Sequence, residues 1–271
     1  MKIIKHHRFF DVDAFEMGYM PIGKPLMTAY FFILDHLVID TGIPHLRKEV
    51  LTILAEKHPA KALLTHCHED HSGNAGAIKG GFGIDVLGHP YTALKMNQKL
   101  ITLPYQKLVW GQAENVAVLP CPQSIETKNH TLKAIHTPGH SKDHTAYLDT
   151  QTGYLFSGDL YLADRIKIFR KDENIHDEIG SLKTILTHDF DALFCAHNPQ
   201  LRNGRARIEA KLDFLENIVS EAREFNETGL PLREIVLKMR KSSDRFIRWF
   251  TMGNVCYGHM IRSALYDTPS A

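Results

Sequence analysis

The 271-residue chain is 44% hydrophobic and 23% charged, the balance of a folded globular protein rather than a disordered or fibrous one. Its formal net charge of +1, from 32 basic and 31 acidic side chains, argues against a strongly cationic nucleic-acid surface, and no apolar run is long enough to span a bilayer. The cysteines Cys67, Cys121, Cys195 and Cys256 have neither CxxC nor disulfide-scaffold spacing, and the first eight residues lack the apolar core of a secretory leader, so a cytoplasmic protein with reduced thiols is expected.

Along the chain, Gly18 to Thr28 reads as a loop on the strength of Pro21, Gly23 and Pro25. Tyr30 to Leu34 and Leu37 to Asp40 flank Asp35-His36 and predict a β-hairpin, followed by the turn Val38-Ile39-Asp40-Thr41-Gly42. Leu46, Val50, Leu51 and Leu54 stand at helical spacing behind Pro44, which predicts a helix from Pro44 to Lys57. A strand over 61–65 comes next, then Thr65-His66-Cys67-His68-Glu69-Asp70-His71-Ser72-Gly73. Four metal-competent side chains thus fall within six residues at a strand end. Imidazole nitrogens with a carboxylate oxygen suit zinc or another borderline divalent ion better than calcium or magnesium. His66 and His68 alternate and can face one ion, whereas Asp70 and His71 sit further along and can reach a second. Cys67, out of phase with both histidines, is expected to be a packed thiol.

A short helix from Ser72 to Lys79 and a strand from Ile84 to Leu87 continue the alternation, which argues for an α/β layered architecture. Residues 89 to about 115 are less regular and read as an insertion carrying Tyr91, Tyr105 and Trp110. Three further apolar runs then each end in a candidate ligand. Leu132 to His136 leads into Thr137-Pro138-Gly139-His140-Ser141, Tyr154 to Phe156 into Ser157-Gly158-Asp159, and Ala192 to Cys195 into Ala196-His197. A sheet delivers side chains to one edge in this way. His144, close to His140, is expected to be a hydrogen-bonded structural residue.

The ordered set VIDTG, HxHxDH, TPGHS, SGD and a terminal AH resembles the metallo-β-lactamase-fold hydrolase superfamily, over roughly residues 25 to 200. The resemblance implies an αββα sandwich and a dinuclear site: His66, His68 and His140 on one divalent metal, Asp70, His71 and His197 on the other, and Asp159 bridging them. Zinc is the first candidate metal, with iron or manganese as the others. The implied chemistry is hydrolysis by a metal-bridging hydroxide, which removes any need for a Ser or Cys nucleophile. Asp70 would also orient the hydroxide, Asp40 would fix an imidazole tautomer, and Tyr161 would donate to an oxyanion or leaving group.

The expected substrate is a small ester, thioester, lactone or lactam, without a nucleic-acid or membrane partner. The alternative is a phosphodiesterase or nuclease of the same fold, for which Lys238, Arg240, Lys241, Arg245 and Arg248 are the only basic cluster; an iron-dependent redox or sulfur-oxidising relative ranks third. Residues 1–203 are assigned to the catalytic domain and 204–271 to a helical C-terminal appendage packed on it. The appendage has stripes at Leu212, Leu215, Val219 and Ala222 and at Leu232, Ile235, Val236 and Met239, and a third helix capped by Ser243 or Asp244 and running toward Leu265. Phe246 to Ile261 mixes large apolar groups with glycines, which fits a pocket wall or, alternatively, a homodimer interface.

Overall fold

The computed structural model describes residues 1–98 and 101–270, so Ala271, the last residue of the predicted appendage, lies outside them. The first sheet contains β1 (Lys2–Phe9), β2 (Val12–Tyr19), β3 (Ala29–Leu34), β4 (Leu37–Ile39), β5 (Lys61–Leu63), β6 (Asp85–Gly88) and β7 (Leu119–Pro120), adjacent in that order. In the second sheet, β8 (Ser124–Glu126), β9 (Thr131–His136), β10 (Thr145–Asp149) and β11 (Tyr154–Gly158) are neighbours. A two-residue strand, β12 (Phe169–Arg170), stands apart, and β13 (Ala192–Cys195) completes the second sheet beside β11.

Alternation along the strands separates two cores. Phe31, Ile33, Val38 and Ala62 face the helices α1 (Arg47–Lys57), which contributes Val50 and Leu54, and α3 (Ala75–Phe82), which contributes Ala75 and Ile78. The short α2 (Glu69–Ser72) precedes α3, the two being separated where one helix was predicted. Gly73 stands at the break, where a Cβ would run into the Glu69 carbonyl oxygen. From the opposite face of the same sheet, Phe32, Leu34, Ile39 and Leu63 meet Leu132, Tyr147, Phe156 and Phe194 of the second sheet. The outer face of that sheet presents Ala146, Leu148, Leu155 and Leu193 to a helical layer. Two sheets between helices give the αββα order.

The strands that matter for the site run together. β4, β5 and β6 are parallel, and β11 is parallel to β13, while β9 and β11 are each antiparallel to β10 and so share a direction. The ends of β4, β5, β9, β11 and β13 carry the segments 40–42, 64–72, 137–140, 159 and 196–197.

Between β6 and β7 the insertion holds α4 (Pro90–Met96) and α5 (Pro104–Val109). The outer layer on the second sheet is built from α6 (Ile175–Leu186), α7 (Gly204–Glu227), α8 (Leu232–Met239) and α10 (Tyr257–Tyr266), while α9 (Arg245–Phe250) stands outside this core. The single third helix predicted in the tail is divided in two. Met252 and Gly253 take left-handed φ values of 53° and 80°, and β14 (Val255–Cys256) then pairs antiparallel with β12. Asp244 does not cap α9 with its side chain; Oδ2 accepts instead from the Tyr257 N–H at 2.9 Å, at the start of α10. Within the basic cluster, Arg240 pairs with Asp244 at 2.7 Å and the Lys238 ammonium lies 5.3 Å from the Phe225 ring centroid.

Candidate metal centre

The segment after β5 is pinned from the side opposite the ligands. The Cys67 N–H donates to Asp143 Oδ2 at 2.9 Å, and this buried carboxylate also accepts from Thr92 Oγ1 at 2.9 Å. Holding the residue between them in this way turns His66 and His68 to the other side. Cys67 Sγ lies 3.7 Å from Asp143 Oδ1, and burial followed by the Asp143 charge raises its thiol far above the usual range, so it is a packed thiol. α2 then starts on the His68 carbonyl, which accepts from His71 N–H at 3.0 Å and Ser72 N–H at 2.8 Å. That turn brings Asp70 and His71 inward.

Two clusters of ligand atoms result. His66, His68 and His140 form the first, and Asp70, His71, Asp159 and His197 the second. In the first cluster, His68 Nδ1 is 2.8 Å from His66 Nε2 and 3.0 Å from His140 Nε2. In the second, His197 Nε2 is 3.3 Å from both Asp70 Oδ2 and Asp159 Oδ1, and His71 Nε2 is 3.3 Å from the same Asp159 oxygen. The other Asp159 oxygen, Oδ2, lies 3.3 Å from His140 Nε2. One carboxylate therefore faces both clusters with different oxygens. His71 Nε2 and Asp159 Oδ1 are buried without a hydrogen-bond partner among the described residues. Buried polar atoms left in this state, converging with imidazole and carboxylate donors, fit a divalent cation in each cluster.

The distal imidazole nitrogens are held by groups behind them, which fixes the tautomer offered to a metal. His71 Nδ1 is 2.8 Å from Asp40 Oδ2, and Asp40 Oδ1 accepts from the Thr65 N–H at 2.8 Å. His66 Nδ1 is 3.0 Å from Thr65 Oγ1, whose own proton goes to Asp40. His140 Nδ1 lies 2.7 Å from Glu173 Oε1, and His197 Nδ1 donates to the Thr28 carbonyl at 2.6 Å. Asp40 has a left-handed φ of 60°, a strained conformation for a non-glycine residue that aims its carboxylate at the histidine loop. Asp40→Ala should weaken metal binding by roughly 10–100-fold through His71 while leaving the fold intact. Competition against a chromophoric chelator measures this, and unchanged affinity would remove Asp40 from the scheme.

His144 holds the potential bridge. Its Nε2 accepts from the Asp159 N–H at 3.0 Å, so its Nδ1 carries the proton, which goes to Thr137 Oγ1 at 2.8 Å. Burial, followed by the His140 charge, pushes its pKa down to about 3, as this neutral role requires. Gly158 makes room for the arrangement. A Cβ there would stand 2.7 Å from His144 Nε2, and its φ of +48° suits glycine.

The electrostatics separate the two clusters. Burial, then the neighbouring imidazoles, holds His66 well below the ordinary histidine range; burial, then the Arg170 guanidinium, does the same for His68. Burial also opposes charge on His71 and His197, but Asp159 and Asp70 outweigh it, raising His71 well above that range and His197 to about 10. A cation entering the second cluster must therefore displace protons.

Tyr161 requires a correction. It was expected to donate over the reacting atoms, yet its hydroxyl donates to Asp164 Oδ1 at 2.7 Å and its ring is part of the core under α7. The turn closed by Leu160 N–H on the Ser157 carbonyl buries Leu160 and Tyr161 together, directly after Asp159. Tyr30 stacks on Phe32.

Around the clusters stand side chains from the insertion and the tail. The Trp110 ring centroid is 6.1 Å from that of His197. The Tyr105 hydroxyl accepts from Asn254 Nδ2 at 2.7 Å, and its ring centroid lies 6.1 Å from that of Phe250. Arg170 on β12 reaches the first cluster through Glu173, which accepts its backbone N–H at 2.8 Å on Oε2 and contacts His140 with Oε1.

The sequence profile described as the metallo-beta-lactamase superfamily matches residues 24–197. The chain is 30% identical over 182 residues to a probable metallo-hydrolase, YybB, of Bacillus subtilis, a match covering 64% of this chain and 79% of that one. It is 28% identical over 223 residues to a hydroxyacylglutathione hydrolase of Pseudomonas syringae, covering 78% and 76%. Among solved structures, a beta-lactamase domain protein from Burkholderia ambifaria superposes with a TM-score of 0.71 at 18% identity, over 94% of this chain and 86% of that one.

Proposed function

The chain belongs to the metallo-beta-lactamase superfamily, whose members are metal-dependent hydrolases, and on that footing we propose that it is a dinuclear hydrolase of a small, negatively charged acyl compound. The observation that carries the dinuclear reading is Asp159, whose two oxygens address different clusters. Zinc is the first candidate for both positions on the donor set, and iron or manganese the next. When bound, the two cations would supply hydroxide at neutral pH and polarise the oxygen under attack. Asp70 is the chain's own group for holding the proton of the attacking water, beside His197 and next to the bridge.

Among ester, thioester, lactone and lactam, the thioester ranks first, because a relative matched over three quarters of both chains is a hydroxyacylglutathione hydrolase. The preference for negative charge comes from Arg170. Its Nε is 3.3 Å from Asp172 Oδ1, its side chain is 21% exposed, and its terminal nitrogens make no hydrogen bond among the described residues. With Nε committed to Asp172, the terminal N–H groups are left to an acceptor, which an anionic ligand would bring. Tyr105, Phe250 and Trp110 offer apolar faces for the remainder of the acyl compound.

The test combines elemental analysis with a screen of thioesters, esters, lactones, β-lactams and phosphodiesters, each as anionic and neutral analogues. Two equivalents of metal and turnover of an acyl compound are expected; one equivalent with all seven residues intact, or turnover of phosphodiesters alone, would refute the reading. Arg170→Gln should raise the KM of anionic substrates by roughly 10–100-fold, the loss of one charge-assisted contact, and leave neutral analogues unaffected. Equal effects on both would sink the assignment of Arg170.

A further inference from the structure

Lys211 of α7 is 1% exposed and Glu178 of α6 3%, and the two form an ion pair inside the helical layer. The same ammonium donates to the Leu160 carbonyl at 2.7 Å. Leu160 follows Asp159 directly, so a tail helix grips the peptide beside the residue that faces both clusters. Glu178 is tied to another ligand loop. Gly139 approaches it so closely that a Cβ would lie 2.5 Å from the Glu178 Cα, and the Asn174 N–H donates to the Gly139 carbonyl at 2.9 Å. Ser181 Oγ, one turn on, donates to the Pro138 carbonyl at 2.6 Å. The first turns of α6 thus cradle the turn that presents His140.

We propose that the buried Lys211–Glu178 pair is a positioning device that sets the Asp159 loop and the His140 turn at the spacing two metal ions need. Neither residue touches a metal or substrate. An apolar pair of the same volume would fill this space at less desolvation cost, so packing alone does not call for charge here. An apolar side chain could not, however, hold the Leu160 carbonyl, which is where Lys211 makes its second bond. Of the two Glu178 oxygens, Oε1 takes Lys211 and Oε2 has no partner among the described residues. The pair links α6, α7 and two ligand loops that are separate in sequence.

The proposal rests on the dinuclear reading, and the wild-type protein tests that reading separately by its metal content. The variants are the apolar pair K211M/E178L and the neutral hydrogen-bonding pair K211Q/E178Q, with K211M as the single reference. K211M strands a buried carboxylate and should lower the Tm by roughly 10 °C. The apolar pair should recover most of that loss and yet bind metal roughly 10–100-fold more weakly than wild type, by chelator competition. That separation of stability from metal affinity is the signature of positioning, since a purely structural role would restore both together. The neutral pair K211Q/E178Q, which keeps a donor for the Leu160 carbonyl, should bind metal more tightly than the apolar pair; a folded apolar pair with wild-type affinity for both metals overturns the proposal. If neither double variant folds, the pair is a requirement of the fold and the proposal is likewise overturned.

Discussion

Replacing Asp159 with alanine should empty both metal positions at once. Each cluster loses a donor, Oδ1 from the side of His71 and His197 and Oδ2 from that of His140. Without metal the water in the site would lose its acidity, so kcat/KM should fall by about 10³-fold or more at pH 7. The backbone N–H of residue 159 still reaches His144 in the variant, so the loop and the metal-free fold should survive. Elemental analysis is the decisive measurement. A folded variant that retains two equivalents would mean that Asp159 bridges nothing. Loss of a single equivalent would reduce it to a terminal ligand.

Ending the chain after Asn203 should yield insoluble protein. The removed segment supplies Ile208, Leu215, Ile218, Val219, Ile235, Met239, Met260 and Ile261 to the core over the second sheet. At the low end of about 1.5 kcal/mol for each such side chain, their burial contributes on the order of 12 kcal/mol, comparable to the whole stability of an ordinary domain. The cut also removes β14, the partner of β12, and Lys211 from Glu178. Expression and sedimentation of the truncated chain decide the matter. Soluble protein with its full metal content and unchanged activity would show that the tail is an accessory. Soluble protein with its metals but a raised KM would confine the tail to the walls around the substrate.

The candidate ligands were legible because the chemistry that marks them is local. Four lie within six residues, and the other three each end an apolar strand, so spacing alone is enough to nominate them. Apart from Asp40, which the VIDTG turn pointed to, the groups that orient them carry no such signal. Glu173 is 33 residues from His140, and Thr28 acts through a carbonyl that any residue could supply. Tyr161 was misjudged because proximity in sequence to Asp159 says nothing about which way a side chain points after a turn. α6 did have a signal, in Asn174 as an N-cap that accepts from His176 and Asp177, and in Ile175, Ile179, Leu182 and Leu186 at helical spacing. β1 was illegible for a different reason. As an edge strand with mostly exposed side chains it lacks the apolar alternation of β3.

Four of the candidate ligands leave the first sheet and three leave the second, and each cluster draws on both. A cation in either position is therefore a brace across the sandwich as well as a reagent. Because only the folded chain presents both halves of a cluster, mass action adds about 4 kcal/mol to the folded state when free metal exceeds its dissociation constant a thousandfold. The protein's durability would in this way be tied to the metal available to it: a chain without metal would be idle and also easier to unfold.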